Sequence, residues 1–251
     1  VNIKIYIATH KEFKPPFDKN YVPIQGGKAI AKTTTSYQGD DVGDNISDLN
    51  KNFCELTVLY WAWKNDISSD FIGLVHYRRY FSKIKYGIDQ YVADHNGNNF
   101  TLTDDKEIAA SHDFSELEGH TDLILPVRPH VGQILQNYGA SHHVEDLYLV
   151  REVIKKIYPD YVDAYDYTMQ SVTHMYNCNM MITRREIFAE YCEWLFKILF
   201  VMKDMTFYRN YDDYQQRIFG FISERLCNVW LLRNRHRFCI GERHMVVVDS
   251  P

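Results

Sequence analysis

Five consecutive apolar residues, Phe71-Ile72-Gly73-Leu74-Val75, constrain the fold of this chain more than any other feature. A run that short, with no polar alternation, predicts a strand buried on both faces. Such strands belong to the middle of largely parallel sheets that are covered on both sides. Other short apolar segments flank it. Ile3-Lys4-Ile5-Tyr6-Ile7-Ala8 alternates and is β-rich, Asp122-Leu123-Ile124-Leu125-Pro126 stops at a proline, and Met180-Met181-Ile182 follows Asn177 and Asn179. Between these segments the period changes. Phe53, Leu56, Leu59, Tyr60 and Trp63 predict a helix over 50–64, and Val144, Leu147, Val150, Val153 and Ile154 another over 143–157. Residues 185–203 and 212–233 predict two more. Strands alternating with helices predict an α/β fold. Residues 12–50, with Pro15, Pro16, Pro23, Gly26 and Gly27, read as one long loop region, and 85–120 as an irregular insertion rich in Asn, Asp and Gly.

Bulk properties narrow the function classes. A length of 251 residues suits a single domain, 1–251. A net charge of -5 gives no electrostatic footprint for a nucleic-acid partner. The five cysteines form no C-x-x-C pair, which argues against a disulfide framework or zinc site and suits a reducing cytoplasm. No signal peptide is visible and no apolar run approaches 18 residues, so the expectation is a cytoplasmic protein. The chain opens on Val1 and not Met, which leaves room for a domain excised from a larger enzyme. Its 19 Tyr, 14 Phe and 4 Trp fill a core, and exposed rings of this kind also stack on sugars or bases.

Four constellations carry chemistry. His76-Tyr77-Arg78-Arg79 follows the central apolar strand, and ligands of open α/β sheets bind at that strand end. Paired guanidiniums there suit a phosphate or carboxylate, although an Arg pair on a surface turn is the plain alternative. Gly39-Asp40-Asp41-Val42-Gly43-Asp44-Asn45 gathers three carboxylates, which read as a solvated cap, as a contact to ribose or base, or as oxygen ligands for a hard cation. Asn177 and Asn179 precede a strand, where an amide reads hydroxyls by donating and accepting, or simply makes a turn. Asp213, Arg217, Gly220 and Glu224 share one face of the predicted helix 212–233. By itself such a stripe faces solvent; lining a cleft, its carboxylate would serve as a general base. His142 and His143 are adjacent and do not share a helix face, so they make no two-His metal motif. P-loop, dinucleotide, nucleophile-elbow and zincin signatures are absent.

Seven stretches together resemble a bacterial family of capsular and exopolysaccharide glycosyltransferases that includes galactofuranosyltransferases of O-antigen assembly. They are IYIATHK at 5–11, GDNIS at 43–47, ELTVLYWAWKN at 55–65, FIGLVHYRRYF at 71–81, NMMI at 179–182, EYCEWLFKILF at 190–200 and RIFGFISERLCNVW at 217–230. The insertion at 85–120 and the tail after 233 add nothing to the match. The resemblance implies a GT-A-like fold. Its Rossmann-like half, 1–126, would mainly hold the nucleotide sugar, and 127–251 would mainly hold the acceptor and a catalytic helix.

Where most GT-A enzymes carry a metal-holding Asp-x-Asp, this chain has His76-Tyr77-Arg78-Arg79. The expectation is therefore a metal-independent, inverting enzyme with no cofactor beyond its UDP-sugar co-substrate, galactofuranose first among the sugars. The resemblance brings Thr9, His10 and Lys11 to the nucleotide and Asp44, Asn45 and Asn50 to base and ribose. It gives the diphosphate to Arg78 or Arg79 beside His76 and Tyr77. Asn179, His142 and Arg217 fall to donor sugar or acceptor, and Glu224 or Asp213 to the base. The acceptor would be a growing surface glycan, lipid-linked in one form, which would bring the enzyme to the inner face of the cytoplasmic membrane. Two other readings stay open: a non-catalytic GT-A-like module that binds nucleotide or glycan within a larger assembly enzyme, and a metal-dependent phosphate hydrolase built on Asp40, Asp41 and Asp44.

Overall fold

The chain is described here by a computed structural model that covers residues 2–85 and 107–248. The first strand, β1 (Ile3–Thr9), shows why the sheet has two cores: Ile3, Ile5 and Ile7 enter one apolar cluster while Tyr6 and Ala8 enter the other. The period-2 alternation of a strand puts successive side chains on opposite faces. The apolar run forms β4 (Phe71–His76), with Ile72 and Leu74 on one face and Phe71 and Val75 on the other, buried on both sides as its composition demands. Gly73 is needed there because a Cβ would lie 2.9 Å from Ile182 Cγ1 and 3.2 Å from Ile5 Cγ1.

Parallel pairing orders β3 (Gln38–Gly39), β2 (Tyr21–Gln25), β1 and β4 as 3-2-1-4. That is the order across the switch point of a doubly wound sheet, with β3-β2-β1 forming one mononucleotide-type half and β4 starting beyond it. β2 and β3 correct the expectation of an unbroken loop over 12–50. Pro23 hides β2 from a propensity reading, but β3 pairs only with Ile24 and Gln25, so the outer edge beside Pro23 is open and tolerates a missing donor.

Beyond β4 the sheet closes on itself. β4 turns through Tyr77-Arg78 into β5 (Arg79–Lys85), which pairs with β8 (Ile240–Val247). β8 runs parallel to β6 (Leu123–Pro126), β6 pairs with β7 (Met181–Arg184), and β7 returns to β4. Chain segments from before and after residue 126 therefore interleave in one sheet.

Helices cover one face. α1 (Asn50–Phe53) and α2 (Leu56–Asn65) replace the single helix expected over 50–64, because Cys54 sits at φ 52 and breaks it. α3 (Ile134–Gly139), α4 (Glu145–Ile157), α5 (Val162–Ser171), α6 (Arg185–Asp204) and α7 (Ile218–Asn234) share the larger core. α7 starts six residues later than the expected 212, so Asp213 precedes the helix that bears Glu224. Buried residues surround α7 on all sides, which marks it as a core helix and not a surface one. Among the described residues the opposite face is covered by 109–118, whose Ala109, Phe114 and Leu117 pack on the strands. The greater part of the expected insertion, 86–106, lies outside the described residues.

One buried ion pair ties this layer to the sheet. Arg243 of β8, 1% exposed, donates from Nε to Glu116 Oε1 at 2.7 Å and from Nη2 to Oε2 at 2.8 Å. Its remaining donors reach the carbonyls of Ser82 and Asp113. The five cysteines are free, and among the described residues no helix is long and apolar enough to cross a membrane.

Candidate functional site

In the order 3-2-1-4 the chain reverses direction of growth between β1 and β4. A crevice opens outside the carboxyl ends of the strands at such a switch point. A cleft of about 850 Å³ lies there. Ala8, Thr9 and His10 from the end of β1, and His76, Tyr77, Arg78 and Arg79 from the end of β4, line one side; Arg217, Gly220, Phe221 and Glu224 line the other. The α7 stripe thus faces a cleft and not solvent.

Local bonding explains each placement. Thr9 Oγ1 donates to the Lys11 carbonyl at 2.7 Å and accepts from the Lys11 N–H at 3.2 Å, which turns the chain after β1. That turn lays the His10 ring edge-on to Tyr77, centroids 5.2 Å apart, and holds the Lys11 ammonium 5.3 Å from the Tyr77 centroid. Lys11 is therefore a neighbour of the cleft wall and not part of the lining. Across the β4–β5 turn, Arg78 and Arg79 stay exposed. Among the described residues the Arg79 side chain makes no hydrogen bond or ion pair, although its backbone pairs with His76 and Val247, and it lines the cleft.

The floor is built around a turn in the left-handed region, with Cys178 at φ 67 and Asn179 at φ 50. His76 Nε2 donates to the Cys178 carbonyl. Burial pulls the His76 pKa below its ordinary 6.5, against the opposing influence of Glu55 and of that carbonyl, so the ring is neutral near pH 7. The Cys178 N–H donates to Glu224 Oε1 at 2.8 Å, and Arg225 Nη1 bonds Oε2 at 2.9 Å. Glu224 is 23% exposed. Its pKa is raised above 4.5, chiefly by burial and also by Glu55, with Arg225, the Cys178 N–H and Arg79 pulling the other way. A carboxylate whose pKa is raised is, in its ionised form, a stronger proton acceptor than a free one.

Other expected residues fall differently. Asn50 lines the cleft, donating to the Cys54 carbonyl and Thr57 Oγ1. It packs so closely on Gly27, at φ +67, that a Cβ there would lie 2.5 Å away. Asp44 and Asn45 are not in the lining. Asp44 accepts from Tyr60 Oη and from its own backbone N–H bonds Asn65 Oδ1, at the far end of α2, about 15 Å of helix from Glu55. Asn45 is spent on its own turn, to Gly43 and Ser47.

Asn179 is buried behind the floor, its amide divided between Glu55, Ser223 and the Gly220 carbonyl, which leaves nothing to read a sugar. His142 stacks behind Phe221 at 4.0 Å and bonds Gln215, supporting the wall without lining it. Asp213 reaches the rim, 93% exposed and 3.0 Å from Lys51. A carboxylate so exposed and paired is a weaker candidate for base than Glu224. Arg217 lines the cleft with its guanidinium near the rings of Tyr214 and Phe221 and its Nε 3.4 Å from Cys54 Sγ.

Lining residues that sequence reasoning missed are Glu55, Cys54, Lys51, Cys178, Tyr214 and Phe221. Glu55 stands at the N-terminus of α2 only because the helix breaks at Cys54, and no spacing announces that break. The three-carboxylate loop loses its role as a cation cluster. Asp40 is fully buried and accepts from the N–H groups of Gly27 and Lys28 and from Ser47 Oγ, fastening the Gly-Gly loop, while Asp41 and Asp44 lie exposed. Among the described residues no three His, Cys, Asp or Glu side chains converge as metal ligands would.

Fold and site together define a mixed α/β domain with a guanidinium-rimmed cleft at the switch point of a mononucleotide-type sheet. Residues 4–235 match the family described as Domain of unknown function, DUF4422, and the chain belongs to that family. Among curated proteins none matches it. The apo structure of the bifunctional glycosyltransferase WbbM is similar over the whole chain, at 29% identity and a TM-score of 0.89. The chain spans about half the length of that relative, 46% of it.

Proposed function

We propose that this domain is a GT-A-like glycosyltransferase that moves a sugar from a UDP-sugar donor to a bacterial surface glycan, with inversion at the anomeric carbon. The observation that carries the reading is the switch-point cleft itself, in which Arg78 and Arg79 at the end of β4 lie across from Arg217 and Glu224. Support also comes from the likeness to a bifunctional glycosyltransferase across the full chain. UDP would lie against Thr9, His10 and Asn50, its diphosphate against Arg78 and Arg79. Guanidiniums aimed at the leaving diphosphate stabilise charge where it develops, which is the task a divalent cation performs in other such enzymes. Glu224 would take the proton from the acceptor hydroxyl as that oxygen attacks in line. UDP-galactofuranose is the donor to test first, on the strength of the motif resemblance, and a glycan carried on lipid at the cytoplasmic face of the membrane is the proposed acceptor.

The test compares wild type with Glu224→Gln for transfer or hydrolysis of UDP-sugars and for UDP binding by calorimetry. Turnover should fall by about 10²–10⁴ with UDP affinity unchanged. Near-normal turnover in that variant would remove Glu224 from the mechanism. UDP binding without turnover of any donor in the wild type would make the domain a binding module. Activity that vanishes in EDTA and returns with Mn²⁺ or Mg²⁺ would overturn the arginine-only account.

A further inference from the structure

Asn179 does not touch the cleft, yet its side chain is saturated by residues that do or that back it. Nδ2 donates to Glu55 Oε1 at 2.7 Å and Oδ1 accepts from Ser223 Oγ at 3.0 Å. The residue before it donates its N–H to Glu224 and accepts from His76. One two-residue turn therefore fixes two carboxylates that arrive from opposite ends of the chain, Glu55 at the start of α2 and Glu224 on α7. Holding both residues of the turn at positive φ strains side chains other than glycine, because the left-handed conformation crowds Cβ against the following carbonyl. Asn is among the few side chains that accept it readily.

We propose that Glu55 is a second working carboxylate of the cleft, clamped by Asn179 while the adjacent Cys178 holds Glu224, so that one turn sets the two carboxylates in the same cleft. The inference rests on the reading of Glu224 as the base, and both Glu55 and Asn179 are positioning residues in it. Like charges brought together favour the protonated form of one partner. The charged and titratable groups that face Glu224 are Arg225 and Cys227 on its own helix, Glu55 and Cys54 from the α1–α2 junction, Arg79 from β5 and Cys178 from the turn. Among the described residues Glu55 is the one carboxylate in that set. Without the Asn179 clamp, Glu55 is free to swing toward solvent, and its share in raising Glu224 relaxes while that of burial, the larger cause, stays.

The test does not depend on knowing the substrate. Glu224 is titrated by carboxyl ¹³C NMR in protein labelled at glutamate, its signal assigned by its loss in Glu224→Gln. Glu55→Gln should move the titration of Glu224 to lower pH. Asn179→Gly, chosen because glycine keeps the positive φ without strain, should move it the same way. Adding Asn179→Gly to Glu55→Gln should move it no further, since the clamp acts through Glu55. An unmoved titration in Glu55→Gln overturns the proposal, and additive shifts in the double variant overturn the role of Asn179. A parallel pH profile of UDP-galactofuranose hydrolysis, the donor proposed above, separates the role of Glu224 as base from its coupling to Glu55. A shifted NMR titration with an unshifted acid limb would refute Glu224 as the base while sustaining the coupling. Equal shifts in both sustain the whole account.

Discussion

Replacing Glu116 by Ala removes one half of a buried ion pair and leaves the other half in place. Arg243 is 1% exposed, and two of its hydrogen bonds, at 2.7 and 2.8 Å, go to the Glu116 carboxylate. After the substitution the guanidinium keeps, among the described residues, the carbonyls of Ser82, Lys83 and Asp113 and the ring of Phe114, 4.8 Å from its carbon. Stranding a buried charge in this way costs about 3–5 kcal/mol. Glu116 is 18% exposed, so water reaches the vacated place and the lower part of that range is expected. Against a total stability of roughly 5–15 kcal/mol this is a large share. For a domain of this size, about 2–4 °C per kcal/mol gives a Tm lowered by at least about 6 °C. Thermal and urea melts followed by circular dichroism measure it. The diagnostic comparison is the double variant Glu116→Leu, Arg243→Met, which removes both charges and should be more stable than Glu116→Ala. A Glu116→Ala protein within about 1 kcal/mol of wild type, or a double variant as unstable as the single, would refute the view that a stranded charge is what matters.

Three further outcomes are expected. Asp66 accepts from Ser69 Oγ at 2.6 Å, Tyr6 Oη at 2.8 Å and the N–H groups of Ser68 and Ser69; burial alone would raise its pKa, but these bonds outweigh it and hold it below 3.8. Its stabilising contribution is present above the unfolded value and is lost as pH falls through the lower folded one, so Asp66→Asn should flatten the acid limb of a stability-versus-pH curve. Gly73→Ala should cost about 1–3 kcal/mol by overpacking β4 against Ile5 and Ile182, read as a lowered urea midpoint at unchanged slope. Arg79→Ala should weaken UDP binding by about 1.5–3 kcal/mol, the worth of a hydrogen bond to a charged group; calorimetry at two salt concentrations checks it, and an unchanged affinity would put the diphosphate elsewhere.

How much of this was legible in the sequence varies from element to element. β1 and β4 announce themselves because both faces or alternate faces are apolar, and the cleft residues at their ends follow from where sheets bind ligands. β8 does not, since Glu242 and Arg243 make it look like surface. Arg243 is tolerated inside by a carboxylate 127 residues away, which no local pattern reveals. Glu55 was hidden inside a helix that the sequence predicts as continuous, and it faces the cleft only because Cys54 adopts a positive φ. Asp44 and Asn45 were expected beside the ribose, but their short side chains satisfy nearby backbone and side-chain groups, as Asx residues in loops commonly do.

The closed circuit of strands also sets a schedule for the molecule's birth. β5 ends at Lys85, but its partner β8 ends at Val247. A ribosome adding about 5–20 residues per second leaves that edge open for on the order of ten seconds or more. An unpaired edge with a hydrophobic face is a template for wrong pairing. The domain is therefore most exposed to misassembly while it is being made, and the first parallel half, complete in sequence by residue 76, has to wait for the last strand before Arg79 is held in place across from Val247.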